Sequence, residues 1–262
     1  MMRSLWTAAT GMNAQTMNVD VISNNLANVN TSGFKRGRAN FQDLMYQQVK
    51  MPGAEASAGG TQLPSGIQIG LGVQTSSVSH VFSTGSFQQT GNPLDLAIQG
   101  RGFFEVLMGN GELGYTRAGS FSVDAQGQLV TANGEVVQPA INIPADALSI
   151  NIGTDGTVSV AQPGGISSVV GQITTVDFSN PGGLKPLGNS MYQPSNASGQ
   201  PIAGAPLANG FGGVGQGMLE MSNVNMVEEM VNLIAGQRAY EMNSKAIQAA
   251  DQMLQTANNV RR

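Results

Sequence analysis

NMVEEMVNLIAGQRAYEMNSKAIQAADQMLQTANNV, residues 225–260, decides the architecture of this chain. The run holds no proline and a single glycine, Gly236. Counting in sevens from Met226 meets Leu233, Tyr240, Ile247 and Leu254, a helical period. At 1.5 Å per residue the helix extends roughly 54 Å, longer than a compact domain of this size needs. A second apolar track, Met242, Ala246, Ala249, Met253 and Val260, runs along another side of it. One partner helix cannot cover both tracks. The series Met230, Gln237, Ser244, Asp251 turns polar after its first member, so a dimeric zipper fits poorly. This helix needs several neighbours, with other copies of the chain among the candidates.

The N-terminus carries a matching pattern. Leu5, Met12, Val19 and Leu26 recur in sevens, interleaved with Ala8, Gln15, Ile22 and Val29, so the two terminal helices are expected to pair. An intramolecular bundle that merely closes the chain ends is the plainer reading, but it leaves the second apolar track wet. The first helix runs into SNNLANVNTSGFKRGRANF, residues 23–41. Asn24, Asn25, Asn28 and Asn30 compete with helical backbone bonds, and Thr31-Ser32-Gly33 stops the helix. Lys35, Arg36 and Arg38 lack flanking aromatics and read as solvated charges or helix-dipole partners rather than a nucleic-acid patch.

Phe41 to Val49 has the spacing of a short helix, and residues 51–60 have the composition of a loop. LPSGIQIGLGVQTSSVSHVF, residues 63–82, alternates as strands do but is broken by glycines and a proline. It reads either as an extended arm or edge strand or as a floppy linker. From Gly72 to Phe211 the signals are β. Asn133-Gly134 and Asp155-Gly156 are hairpin dipeptides, and 109–111 and 124–127 are further turns. FFEVLM, YTRAGSFSV, QLVTA, EVVQP and TVSVA lie between them. The fold class is α+β: long terminal helices pairing as a coiled-coil-like core layer around an inserted all-β domain. The expected divisions are an N-terminal core helix (1–31) pairing with 225–262, a joint and arm (32–71), the β domain (72–211), a return segment (212–224) and the C-terminal core helix (225–262).

Hydrophobic residues make up 40% of the 262-residue chain, enough for an ordinary core. Only 11% are charged, so the surface is mostly neutral and polar, which suits self-association. A net charge of -4 gives no attraction for nucleic acid or an anionic membrane. No run approaches the ~20 apolar residues of a membrane span, and the N-terminus lacks the apolar stretch of a secretory signal. Work outside the cytoplasm would need export without signal cleavage. With no cysteine, disulfides, thiolate catalysis and thiolate metal sites are excluded.

Candidate chemistry dissolves on inspection. Gly109-Asn-Gly111-Glu-Leu-Gly114 and Gly210-Phe-Gly212-Gly-Val-Gly215 match a nucleotide-loop spacing, but one joins two strands and the other follows a loop. The single histidine, His80, cannot build a metal cluster. Asp124 and Asp155 belong to turns, and Asp95 suits a local Asx bond better than acid catalysis. Glu228 and Glu229 complement the dipole of the C-terminal helix. The 14 methionines suit adaptable packing. No catalytic, cofactor-binding or metal residue is expected, and no cofactor.

Four stretches carry a resemblance: SNNLANVNTSGFKR (23–36), NPLDLAIQGRGFF (92–104), YTRAGSFSVDAQGQLVTANGEVV (115–137) and EMVNLIAGQRAYEMNSKAIQAADQML (229–254). Together they resemble the axial proteins of the bacterial flagellum, and most closely the distal rod (FlgG) family. The resemblance implies a structural subunit that polymerises helically into a hollow rigid shaft. The shaft transmits torque from motor to hook in the basal body, from periplasm to outer membrane. It implies as partners other copies, proximal rod proteins, the hook or its junction, the P and L rings and the flagellar type III export apparatus.

Assembly then falls to Leu5, Met12, Val19, Ile22 and Leu26 on the first helix and Met226, Leu233, Tyr240, Ile247 and Leu254 on the last. The stretch 46–73 resembles the insertion associated with the straight rod, which makes Pro52, Gly53, Pro64, Ser65 and Gly66 a stiffness arm. Open alternatives are a proximal rod or hook paralogue, an oligomeric β-domain surface-binding module, and an enzyme using β-domain carboxylates. With aromatics at 5% and Trp6 on the terminal helix, the exposed aromatic strip of a wall-binding module is missing.

Overall fold

A computed structural model describes residues 2–51, 65–163 and 167–260. The chain forms two units: residues 1–26, 37–79 and 226–262 make a helical unit, and residues 27–36 and 80–225 make a β unit.

The helical unit contains α1 (Met2–Ala27), four strands and α2 (Met226–Val260). The strands are β1 (Gly37–Asp43), β2 (Tyr46–Lys50), β3 (Ile67–Gly70) and β4 (Val73–His80), paired β1 with β4 and β2 with β3. The helices run antiparallel. Asn25 on α1 reaches Glu229 on α2, a Cβ at Gly236 would meet Val19 at 3.2 Å, and one at Gly11 would meet Asn243 at 2.9 Å. Fourteen residues back on α1, from 25 to 11, thus correspond to fourteen forward on α2, from 229 to 243. The pairing seam is lined by small and polar groups: Ala8, Ala14, Asn25, Glu229, Gly236 and Ala250 are buried. Of the large apolar residues of the seven-residue pattern, Ile22 is buried with them and the others flank the seam.

Phe41 to Val49 is not helical. Phe41 lies within β1, and Tyr46 to Val49 lie in β2, paired with Ile67–Gly70 across a bulge. The residues have helical spacing, but a partner strand offers their backbone groups a ladder, and pairing overrides local preference.

The β unit continues with β5 (Phe87–Gln89), β6 (Leu96–Gln99), β7 (Phe103–Leu107), β8 (Leu113–Thr116), β9 (Phe121–Val123), β10 (Leu129–Thr131), β11 (Val136–Gln138) and β12 (Ser149–Ile152). It ends with β13 (Thr157–Ala161), β14 (Ser167–Gln172), β15 (Thr175–Asp177), β16 (Lys185–Gly188), β17 (Met191–Gln193), β18 (Ile202–Gly204), β19 (Gly213–Gln216) and β20 (Met218–Glu220). The main sheet runs β16-β17-β8-β7-β11-β10-β9, with β15 joining β7 beside Phe103 and Phe104 and β18 joining β15. Every turn dipeptide read from the sequence links antiparallel neighbours: 109–111 joins β7 to β8, 124–127 joins β9 to β10, Asn133-Gly134 joins β10 to β11, and Asp155-Gly156 joins β12 to β13.

Phe103 and Phe104 are adjacent in β7 and so point to opposite faces. Phe104 enters the main core with Leu96, Ile98, Val106, Phe121 and Val137. Phe103 enters a smaller core with Tyr115, Phe178 and Tyr192. The sheet is buried on both faces at this strand.

Residues 212–224, expected as a return segment, are woven into the unit instead. β19 pairs residue for residue with the buried β6, from Gly213 opposite Gln99 to Gln216 opposite Leu96, and β20 pairs with β5. A buried strand needs a ladder partner for its backbone. The glycines allow one to come close: a Cβ at Gly212 would lie 2.7 Å from the Gln99 carbonyl oxygen.

Candidate assembly surface

Pairing with α1 leaves much of α2 open. Val227 is 70% exposed, Val231 60% and Met242 71%, and Met230, Ile234 and Met253 are exposed as well. On α1, Met2, Trp6 and Met17 are exposed. An apolar surface of this extent on a helix pair marks an interaction site. The second track read from the sequence, through Met242, Ala246, Ala249 and Met253, faces outward throughout.

The residues expected to drive assembly divide into three groups. Ile22 is buried in the seam. Leu5, Met12, Val19 and Leu26, together with Leu233, Ile247 and Leu254, are half-buried along its edges. Met226 and Tyr240 lie on the open side, 46% and 44% exposed. Of the arm, Pro52, Gly53 and Pro64 lie outside the described residues. Ser65 is exposed and Gly66 half-buried, just ahead of β3. The β2–β3 hairpin that flanks the arm exposes Tyr46, Val49, Ile67 and Ile69, and an isolated two-stranded hairpin is marginal in water.

Sequence reasoning missed two polar anchors. In the helical unit, Asn25 is buried at the end of α1. Its side chain accepts from the Gly37 amide (2.8 Å), donates to the Gly37 carbonyl (2.9 Å) and donates to Glu229 (3.4 Å). One amide thereby ties α1, β1 and α2 together. Glu229 is more than a dipole partner, since it is almost fully buried against this amide.

In the β unit, Lys35 is fully buried, which corrects its reading as a solvated charge. Its Nζ donates to Glu220 Oε1 (2.6 Å) and to the Ser83 carbonyl (2.7 Å). Arg117 meets Glu220 Oε2 at 3.2 Å, donates to the Gly100 carbonyl at 2.8 Å, and stacks 5.3 Å from the Phe103 ring centre. One carboxylate therefore serves two cations, and the carbonyls of Ser83, Ile98 and Gly100 take further donors, leaving Arg117 Nε without a hydrogen-bond partner. Burial pushes the Lys35 and Arg117 pKa values down, while Glu220 pulls both back up. The segment entering this cluster is seated by Gly33, whose amide donates to the Glu220 carbonyl (2.8 Å). Gly33 has φ +69°, and a Cβ there would lie 2.4 Å from the Ala118 nitrogen, so only glycine fits. The Lys-Arg pair after a Gly stop was visible in the sequence, but nothing local distinguishes a buried cation from a solvated one.

The histidine and the carboxylate weighed as chemistry have structural partners. His80 Nδ1 bonds the Lys35 carbonyl (3.1 Å), and its ring lies edge-on to Tyr192. Asp95 accepts from Thr90 (2.6 Å) and Asn92 (2.9 Å), as a local turn carboxylate does. Among the described residues no group of three or more His, Cys, Asp or Glu is placed to hold a metal, and no helix is long and apolar enough to cross a membrane.

Three family models match the chain where these features lie. "Flagella basal body rod protein" covers residues 5–35, "Flagellar hook protein FlgE/F/G D1 domain" covers 97–160, and "Flagellar basal body rod FlgEFG protein C-terminal" covers 216–260. Terminal helices with an intervening β unit thus define a member of the flagellar rod and hook class. The FlgG rod protein of Buchnera aphidicola (subsp. Schizaphis graminum) is 50% identical across 97% of this chain and 98% of its own. That of Caulobacter vibrioides is 49% identical across 99% and 100%. In Bacillus subtilis the FlgG protein is 41% identical and the hook-basal body complex protein FlhP 35%, each across the full length of both chains. The chain belongs to the FlgG family of flagellar basal-body rod proteins.

Proposed function

We propose that the chain is the structural subunit of the distal rod and polymerises helically, through its paired terminal helices, into a hollow rigid shaft that carries torque from motor to hook. The observation that carries this reading is the width of apolar surface left on α2 after α1 has paired. Met226, Met230, Val231 and Ile234 are each about half exposed or more, and repeated copies supply cover on several sides at once. The role is mechanical rather than catalytic. In the basal body its neighbours are proximal rod proteins, the hook or its junction, and the P and L rings. Delivery is by the flagellar type III apparatus without signal cleavage. The arm at 52–66, flanked by the exposed β2–β3 hairpin, bridges neighbouring copies and sets stiffness.

Electron microscopy of the purified chain at high concentration tests this. Wild type should form straight tubes. Ile247→Asp loses about 1.5–3 kcal/mol of burial and puts a charge in the helix layer, so it should form none while the β unit melts as before. Deleting residues 52–64 should leave tubes that bend. Tubes from Ile247→Asp count against the helix-driven polymer, and straight tubes from the deletion count against the arm.

A further inference from the structure

A pocket of about 250 Å³ opens on the β unit, formed by the segment at Thr31-Ser32, the β10–β11 hairpin and the β16–β17 hairpin. It is below the roughly 300–1,000 Å³ of small-molecule sites, but it has room for one long side chain. Four of its six hydroxyl protons are already committed. Thr116 donates to the Ser190 carbonyl (2.9 Å), Ser190 to the Ser32 carbonyl (3.3 Å), Thr31 to Asn28 (3.2 Å), and Thr131 to the Glu135 carboxylate. A hydroxyl has one proton, so these four oxygens can meet a guest only as acceptors. Glu135 is the single charged residue of the lining, which contains no Lys, Arg or His. The Ser32 and Ser120 hydroxyls and the Asn133 and Asn189 amides can each turn an oxygen inward as well, so the one uncompensated carboxylate sits among acceptors and suits a cationic guest, an ammonium or a guanidinium. The wall is also preset: Asn189 and Ser190 hold φ +54° and +57° in a two-residue hairpin turn.

We propose that this pocket receives a lysine or arginine side chain of a second copy of the chain. The inference rests on the rod-subunit reading. That reading brings copies together, and exposed cations such as Arg38 and Lys245 are available on each copy.

Full-length protein, kept dilute, is titrated with butylammonium and methylguanidinium while backbone amide shifts are followed by NMR. Saturable shifts are expected at residues 131–135 and 188–191, weakened at least fivefold in Glu135→Gln. Assembly is then compared: Glu135→Gln should raise the concentration needed for polymer severalfold at low salt, converging with wild type at high salt, with β-unit melting unchanged. Glu135→Asp, which keeps the charge, should assemble nearly as wild type. Absent shifts, or shifts identical in Glu135→Gln, overturn the pocket's ligand class. Probe binding together with wild-type assembly of Glu135→Gln at every salt concentration overturns the second-copy guest. If wild type itself fails to assemble, the subunit reading falls and the second-copy guest with it, while the titration still decides the ligand class.

Discussion

Phe103 and Phe104 stand side by side in β7, face opposite ways and are both removed from water. Val227 and Val231 stand one turn apart on α2 and both remain in it. The β unit satisfies itself: two cores, a ladder partner for each buried strand, and a buried carboxylate between two cations. The helical unit buries chiefly small residues between its helices and turns its larger ones outward. The contrast teaches that burial here is divided by task. One unit closes its core within a single chain, and the other leaves its core to be completed by neighbours.

The sharpest way to break that contrast is hydrogen exchange on the dilute chain. Amides of β7 and β8 should exchange only through global opening, whose cost in folded domains is about 5–15 kcal/mol, whereas α2 should open locally at far lower cost. A difference of a thousandfold or more is expected, and it should shrink in the polymer. Equal protection of α2 and β7 in the dilute chain would dissolve the comparison.

Next in size is Glu220→Gln. It leaves Lys35 and Arg117 as buried cations without a counter-charge, a change that costs on the order of 3–5 kcal/mol. The β unit's melting temperature should drop steeply while helix-pair contacts reported by Gly236 and Asn243 are unaltered. A melt within a degree or two of wild type would mean the cluster is not an anchor.

The smallest effect separates the units by pH. Burial pushes the Tyr192 hydroxyl up to about 12 from an ordinary value of 10. The neutral phenol is therefore favoured by the fold. Its contribution is fully present below pH 10 and is lost as pH rises toward 12, on the order of 2 kcal/mol. Melting of the β unit followed from pH 9 to 12 should show this decline, and Tyr192→Phe should make it shallower, with Tyr115, which burial also pushes up to about 12, supplying the part that persists. An unchanged slope in the variant would assign the decline to another group.

Local patterns made much of this molecule legible. Seven-residue apolar spacing depends on one helix alone, so both terminal helices were visible. Glycine-containing turns depend on a few backbone angles, so the hairpins of the β unit were too. Excess apolar width on α2 announced that one partner would not suffice. What the sequence could not decide were outcomes of long-range meeting. Lys35 and Glu220 lie 185 residues apart, and only the folded β unit determines that this lysine is buried while nearby Arg38 is exposed. The glycine-rich run 212–216 became a strand because the buried β6 lacked a ladder partner, and 46–49 left its helical spacing because 67–70 supplied one. The helix seam went mostly to small and polar residues, with Ile22 the one large apolar side chain buried there, because close approach of two backbones leaves little room. Periodicity is written in neighbours along the chain, whereas burial, pairing and charge compensation are settled by neighbours in space.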